Sequence, residues 1–203
     1  MSSATDIEVS TDTAGPATSD DLIWLLENVH KAIDELEFYN DEFKAFEKQR
    51  VNANLLRALL EYDPHHLLVL RKNGERAGFM ISGPDNGVVF LYWSYILPEF
   101  RRSKLAIVGN TYFVNYFTNG NWHKLSTFTR TDNRTALIIL KRFGWTEVAD
   151  LKKHIFGEDY KIFEIDLEKT IPGYKPFVVI GRFGRIKLKI ASWFGKGRVD
   201  TVT

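Results

Sequence analysis

The chain has 203 residues, no cysteine and a formal net charge of +1. A chain of this length buries enough surface to fold without staples, and the lack of cysteine excludes disulfides, thiol nucleophiles, iron–sulfur clusters and Cys-ligated zinc. The aromatic share of 14% argues against disorder, no apolar run reaches transmembrane length, and the acidic, polar opening MSSATDIEVS is not expected to be a secretory signal.

In chain order, Ile7-Glu8-Val9 alternates like a short strand, and Ser10 to Ser19 has loop composition. Ser19, Asp20 and Asp21 offer N-caps to a first helix, in which Leu22, Leu25, Leu26, Val29, Ile33 and Leu36 recur at helical spacing. Tyr39 to Arg50 is charged and aromatic and cannot be typed. Val51 to Tyr62 is a second amphipathic helix, ended by Asp63-Pro64. Leu67 to Leu70 is a buried type of strand, Asn73-Gly74 a hairpin turn, and Ala77 to Ser82 its partner strand. After a turn at Pro84 to Gly87 comes the long aromatic strand Val88 to Leu97.

Lys104 to Phe117 reads as a helix and Leu125 to Arg130 as a strand. Asp132 or Asn133 caps a helix from Arg134 to Phe143, which Gly144 terminates. Trp145 to Ala149 and Tyr160 to Leu167 are strands joined by a charged loop. The order β, α, α, β, β, β, α, β, α, β, β predicts an α/β (α+β) fold. Its central sheet is mixed and mostly antiparallel, with helices on both faces.

Two strings carry chemistry. The first is Ile96-Leu97-Pro98-Glu99-Phe100-Arg101-Arg102-Ser103-Lys104-Leu105-Ala106, where a strand stops and feeds a helix. Free N–H groups and the positive end of the helix dipole make such a start an anion site. Arg101, Arg102 and Lys104 add cations, although a solvated basic turn would look the same. The second string is Asn133-Arg134-Thr135-Ala136 followed by Lys141-Arg142-Phe143-Gly144-Trp145, about thirty residues on.

In this order the two strings resemble the GNAT superfamily of acyl-coenzyme A-dependent N-acetyltransferases. The first is similar to its V-x-P-x-x-R-x-x-G-x-G/A pattern, the second to its N-x-x-A…K-x-G-F segment. The resemblance implies a GNAT-like domain over residues 1–169, acetyl-CoA as co-substrate and no metal. It implies direct attack of an amine, small-molecule or protein-borne, on the acetyl group. The cofactor-binding residues it implies are Ile96, Leu97, Arg101, Arg102, Ser103, Lys104, Leu105, Ala106 and Asn133. Three positions depart from the family. Lys104 stands where Gly lets the backbone approach a phosphate. Leu140 stands where a Tyr often protonates the leaving thiolate. No acidic residue lies on Val88–Leu97. The catalytic candidates are therefore His123, expected near the cleft, with Tyr92 and Ser94 on the strand.

Charge divides unevenly. Residues 1–50 carry twelve acidic and four basic side chains, residues 51–169 thirteen and sixteen, and residues 170–203 one and seven. The last segment is a basic aromatic arm outside the family pattern. Arg185 to Ile190 within it alternates basic and apolar residues at period two, which favours a strand. Three readings compete for residues 177–198. The arm folds back on the domain, or it docks on a protein partner or a second copy, with the acidic N-terminal segment as a further contact. The third choice is nucleic acid or an anionic membrane. An alternative function follows: a catalytically inactive GNAT-fold assembly component, such as a phage virion protein. The expected location is the cytoplasm, or the virion if the protein is phage-encoded.

Overall fold

The computed structural model describes residues 11–179, so Ile7–Val9 and residues 180–203 of the basic arm lie outside the described residues. Seven strands form one sheet: β1 (Asp12–Pro16), β2 (Leu67–Lys72), β3 (Glu75–Asp85), β4 (Val88–Ile96), β5 (Lys124–Arg130), β6 (Thr146–Ile155) and β7 (Glu158–Asp166). Their order across the sheet is β1-β2-β3-β4-β5-β7-β6. Every pairing is antiparallel except β4 with β5. The helices are α1 (Leu22–Glu35), α2 (Asp41–Arg50), α3 (Ala53–Tyr62), α4 (Leu105–Phe117) and α5 (Arg134–Arg142).

Three of the helices, α2, α3 and α5, start where an asparagine side chain satisfies free N–H groups. Asn40 accepts from the amide of Phe43 (2.9 Å), Asn52 from those of Asn54 and Leu55, and Asn133 from that of Ala136. One apolar cluster packs Leu25, Val29 and Ile33 of α1 and Leu55, Leu56 and Leu59 of α3 on Val69, Phe79 and Ile81 of the sheet. A second, on the opposite face, packs Phe113 and Phe117 of α4 with Leu140 and Trp145 on Leu68, Met80 and Val89. The central strands are thus covered on both sides, which is why they read as continuous apolar runs.

The structure corrects several boundaries. The loop expected over residues 10–19 contains strand β1, which pairs with β2 from Asp12↔Lys72 to Pro16↔Leu68. Its Gly and Pro disguise it, and Pro is tolerated because β1 is an edge. Residues 41–50 are helix α2. Strand β3 continues through Pro84 and Asp85, and the hairpin turn narrows to Asn86-Gly87, both at positive φ (49° and 84°). The charged loop expected between β6 and β7 is a hairpin turning at Phe156-Gly157. After β7 the chain folds back across the end of the sheet. Thr170 and Ile171 donate to the carbonyl of Gly120, Tyr62 donates to the carbonyl of Lys175 (3.0 Å), and Phe177 packs edge-on against Tyr62. The described part of the arm, up to residue 179, contains no strand.

Candidate active site

Strands β4 and β5 pair only over Val88↔Lys124, Val89↔Leu125 and Phe90↔Ser126. Beyond that point they diverge. At the crotch the Thr127 hydroxyl donates to the carbonyl of Leu91 (2.9 Å), which closes the sheet where backbone pairing stops. The opening is a cavity of about 440 Å³ lined from both faces of the sheet.

One irregularity decides which side chains reach each face. The β3–β4 register jumps from Ile81↔Trp93 to Ser82↔Leu91, so Tyr92 is an extra, bulged residue. A one-residue slip exchanges the faces of a strand. Val89 and Leu91 accordingly join the cluster under α4, while Trp93 and Tyr95 join the one under α1 and α3. Ser94 and Ile96 are left facing α4. The amide of Leu97 donates to Ala77 on β3 (2.9 Å). Peptide groups alternate along a strand, so those of Ser94 and Ile96 point the other way, towards the fork. Of the implied cofactor-binding residues Ile96 and Leu97, Ile96 therefore turns its peptide group to the cleft and Leu97 does not.

The remaining motif residues surround the start of α4. Arg101 and Ala106 line the cleft, whereas the Leu105 side chain is fully buried against Leu70 and Ala77. Arg101 donates to the Tyr95 hydroxyl (3.1 Å), which donates in turn to Glu35 (3.2 Å). Arg102 and Lys104 are exposed. The Ser103 hydroxyl donates to the carbonyl of Phe100 (2.6 Å). The amide of Lys104 donates to the carboxylate of Asp12 on β1 (2.8 Å), so one donor of the expected anion cradle already meets an anion.

Asn133 lines the cleft while capping α5: its side-chain oxygen accepts from the Ala136 amide (3.1 Å). Leu140 is packed in the core at 7% exposure with its edge on the cleft, and it offers no proton there. Tyr92 and Ser94 both line the cleft, on opposite sides of β4 because of the bulge. His123 is elsewhere. Its amide bonds Gly87, its carbonyl accepts from Leu167, and its ring lies 6.2 Å from that of Tyr174, at the closed end of the sheet. It precedes the first residue of β5, which is paired, so it sits at the end opposite the fork.

Asn110 did not stand out in the sequence. It lines the cleft from α4 at 4% exposure, its side-chain nitrogen donates to the Ala106 carbonyl (3.0 Å), and its side-chain oxygen has no partner. A buried acceptor without a donor is costly. Its only sequence signal is its place one helical turn after Ala106.

On the other face the wall is aromatic. Tyr39 stacks on Phe43 (4.1 Å between centroids) and meets Trp93 edge-on, and Phe90 packs on Phe128. Burial pushes the Tyr39 phenol up, aided by the Tyr160 phenol and the Glu47 carboxylate. Burial also pushes the Tyr92 phenol up, opposed by the Arg50 guanidinium 4.4 Å from its ring centroid. Both phenols therefore stay protonated at neutral pH.

The profile of the acetyltransferase (GNAT) family matches residues 31–145. Among solved structures, the chain is similar to yncA from Salmonella typhimurium, solved with its cofactor acetyl-CoA, at 16% identity over 79% of this chain and 96% of that one, with a TM-score of 0.63. It is similar to a ribosomal-protein-alanine N-acetyltransferase from Brucella melitensis at 18% identity over 76% and 99%, TM-score 0.61. A GNAT-family acetyltransferase from Bacillus cereus matches at 16% identity over 77% and 98%, TM-score 0.53. No curated protein matches the chain.

Proposed function

Because the chain belongs to the acetyltransferase (GNAT) family, we propose that it transfers an acetyl group from acetyl-CoA to a primary amine at the fork between β4 and β5. The observation that carries the proposal is the fork itself: an open cleft bounded by unpaired strand edges and reached from both faces of the sheet. Acetyl-CoA supplies an acetyl group activated as a thioester. The residues on the α4 face fit its amide-bearing arm. Ser94 and Ile96 present peptide groups, Asn110 presents its orphaned oxygen, and Ala106 and Ala136 leave space. Arg101 and Arg102 supply positive charge for the phosphates at the start of α4, with the helix dipole behind them.

The chemistry asked of the chain is modest. It aligns the amine with the acetyl carbon and excludes competing water. The nitrogen lone pair forms the new C–N bond, the C–S bond breaks and sulfur keeps the electron pair. The nitrogen sheds one proton to solvent and sulfur gains one, leaving a free thiol.

A second reading rests on two specific contacts. Asp12 occupies the Lys104 amide, and Leu140 replaces the usual proton donor. These suit a non-catalytic GNAT-fold component of an assembly. Coenzyme A titration of the full chain, by calorimetry and thermal melting, separates the two. At a ligand concentration a hundredfold above Kd, the folded state gains about 2.7 kcal/mol, or roughly 5–10 °C in Tm for a chain of this size. No heat and no shift at millimolar coenzyme would leave the assembly reading standing.

A further inference from the structure

The acceptor side of the cleft has a chemistry of its own. On the face of β4 opposite α4 it is walled by Leu36, Phe38, Tyr39, Tyr92 and Phe128. Among the described residues, Arg101 is the only charged side chain that lines the cleft, and its guanidinium lies on the Tyr95 hydroxyl, on this same face, where that hydroxyl is shared with Glu35 of α1. The charges behind the aromatic wall are matched within the protein. Glu47 is 3% exposed and accepts from the Trp93 indole (2.5 Å) and from Arg50 (2.8 Å). Arg130 donates to Asp132 through two nitrogens (2.9 and 2.8 Å). Glu35 accepts from Tyr95 (3.2 Å) and pairs with Lys31 (3.7 Å). The wall presented to an acceptor is therefore aromatic, and its one cation, Arg101, is offset by Glu35 across the Tyr95 hydroxyl.

Two consequences follow. A polyamine would bury extra ammonium groups here with no carboxylate in the lining to receive them, and an acidic amine would meet only Arg101, already shared with Glu35 through the Tyr95 hydroxyl. The body of the acceptor must be apolar. Secondly, no carboxylate or imidazole lines the cleft among the described residues, so no such group there takes a proton from an ammonium ion. The amine must arrive neutral. At pH 7 a peptide α-amine is roughly one-tenth neutral, whereas a lysine side chain is neutral in roughly one molecule in 2,500.

We infer that the acceptor is a weakly basic primary amine on an apolar body: the α-amine of a peptide whose first side chain is apolar or aromatic. That side chain lies against Phe38, Tyr39, Tyr92 and Phe128. The inference rests on the acetyl-transfer reading and deepens it. The reaction balances as above: peptide amine plus acetyl-CoA gives acetylated peptide plus free coenzyme A, with one proton moved from nitrogen to sulfur through solvent.

The test uses the full chain, acetyl-CoA and a panel of amines, with thiol release as the readout. The panel holds tetrapeptides beginning with Phe, Leu, Glu or Lys, a Phe-first peptide with its α-amine blocked and one internal lysine, and spermidine. Phe- and Leu-first peptides should exceed the Glu- and Lys-first ones by about tenfold or more in kcat/KM, the scale on which apolar pockets discriminate. The blocked peptide and spermidine should be near background. The rate should rise with pH along the α-amine's own titration, and the midpoint should move when a peptide of different α-amine pKa is used. Phe38→Ala and Phe128→Ala should raise the KM for the Phe-first peptide severalfold and leave coenzyme A binding unchanged. Preference for spermidine or the Glu-first peptide, or a midpoint that ignores the amine, would overturn the inference while coenzyme binding upholds the acetyltransferase reading. Absence of coenzyme binding would sink both.

Discussion

Asn110 is the side chain whose proposed ligand role is most directly testable. Its oxygen is buried and unpartnered in a residue that lines the cleft, so it costs stability in the free protein. Asn110→Leu keeps the branched heavy-atom shape and removes the orphan. The expected variant is at least as stable as the parent, since losing the bond to Ala106 (about 1 kcal/mol) is offset by removing an unsatisfied group (about 1–3 kcal/mol). Coenzyme A should bind it up to about tenfold more weakly. Urea denaturation and calorimetry on the same two proteins check this, and an unstable variant with unchanged Kd would make Asn110 purely structural. At this scale the sequence revealed the cationic turn, because Arg101, Arg102 and Lys104 fall within four consecutive positions. It did not reveal Asp12 on the Lys104 amide, because that contact spans 92 positions. It misplaced His123, because nearness to the cleft depends on which end of β5 is paired.

Among the elements, legibility followed periodicity. α1, α3 and α5 have one apolar face and a polar residue at their start, so they could be placed to within about two residues. α2 buries little beyond Glu47, and β6 is exposed along most of its length, so neither shows a usable period. β4 is apolar on both faces, and the bulge at Tyr92 leaves no trace in such a run, yet it decides which residues reach each face of the cleft. The close approach of β3 to β4 supports this arrangement. Gly78 pairs with Ile96, and a Cβ on it would stand 2.6 Å from the Tyr95 carbonyl oxygen, a backbone atom that cannot swing aside. Gly78→Ala should therefore push β4 at its fork-facing end, costing about 1–3 kcal/mol and weakening coenzyme A binding. Gly15→Ala, on β1 with nothing within 4 Å of the added carbon, is the control and should change neither. Denaturation midpoints and calorimetric Kd values for both variants decide it. Equal effects from the two would show that strand propensity, not the fork, is being measured.

The whole molecule divides its labour between the two ends of one sheet. The fork end is held open, so the opposite end must supply closure, and it does so with buried rings and the returning segment around Tyr62 and Lys175. At its centre is His66, fully buried with Nδ1 2.9 Å from the Ser82 hydroxyl and Nε2 without a partner, among Tyr62, Phe117 and Trp122. Burial holds its pKa down to about 4, although the Asp63 carboxylate acts to raise it. The unfolded chain titrates this group near 6.5. Between those values the unfolded state binds a proton that the folded state refuses, so stability falls as pH falls. The loss reaches about 2 kcal/mol at pH 5 and about 3 kcal/mol at pH 4. Asp63 itself, where hydrogen bonds from His65 and Tyr116 outweigh burial, is lowered from 3.8 and therefore acts only in stronger acid. Urea unfolding at pH 7.5, 6 and 5 should show the decline in the parent and a much flatter profile in His66→Gln, which cannot take up the proton. An equal slope in both proteins would place the acid sensitivity elsewhere. A fork that opens in acid together with the rest of the molecule, rather than before it, is the further sign that the closed end governs cohesion. Coenzyme A affinity per folded molecule should then stay constant across the same range.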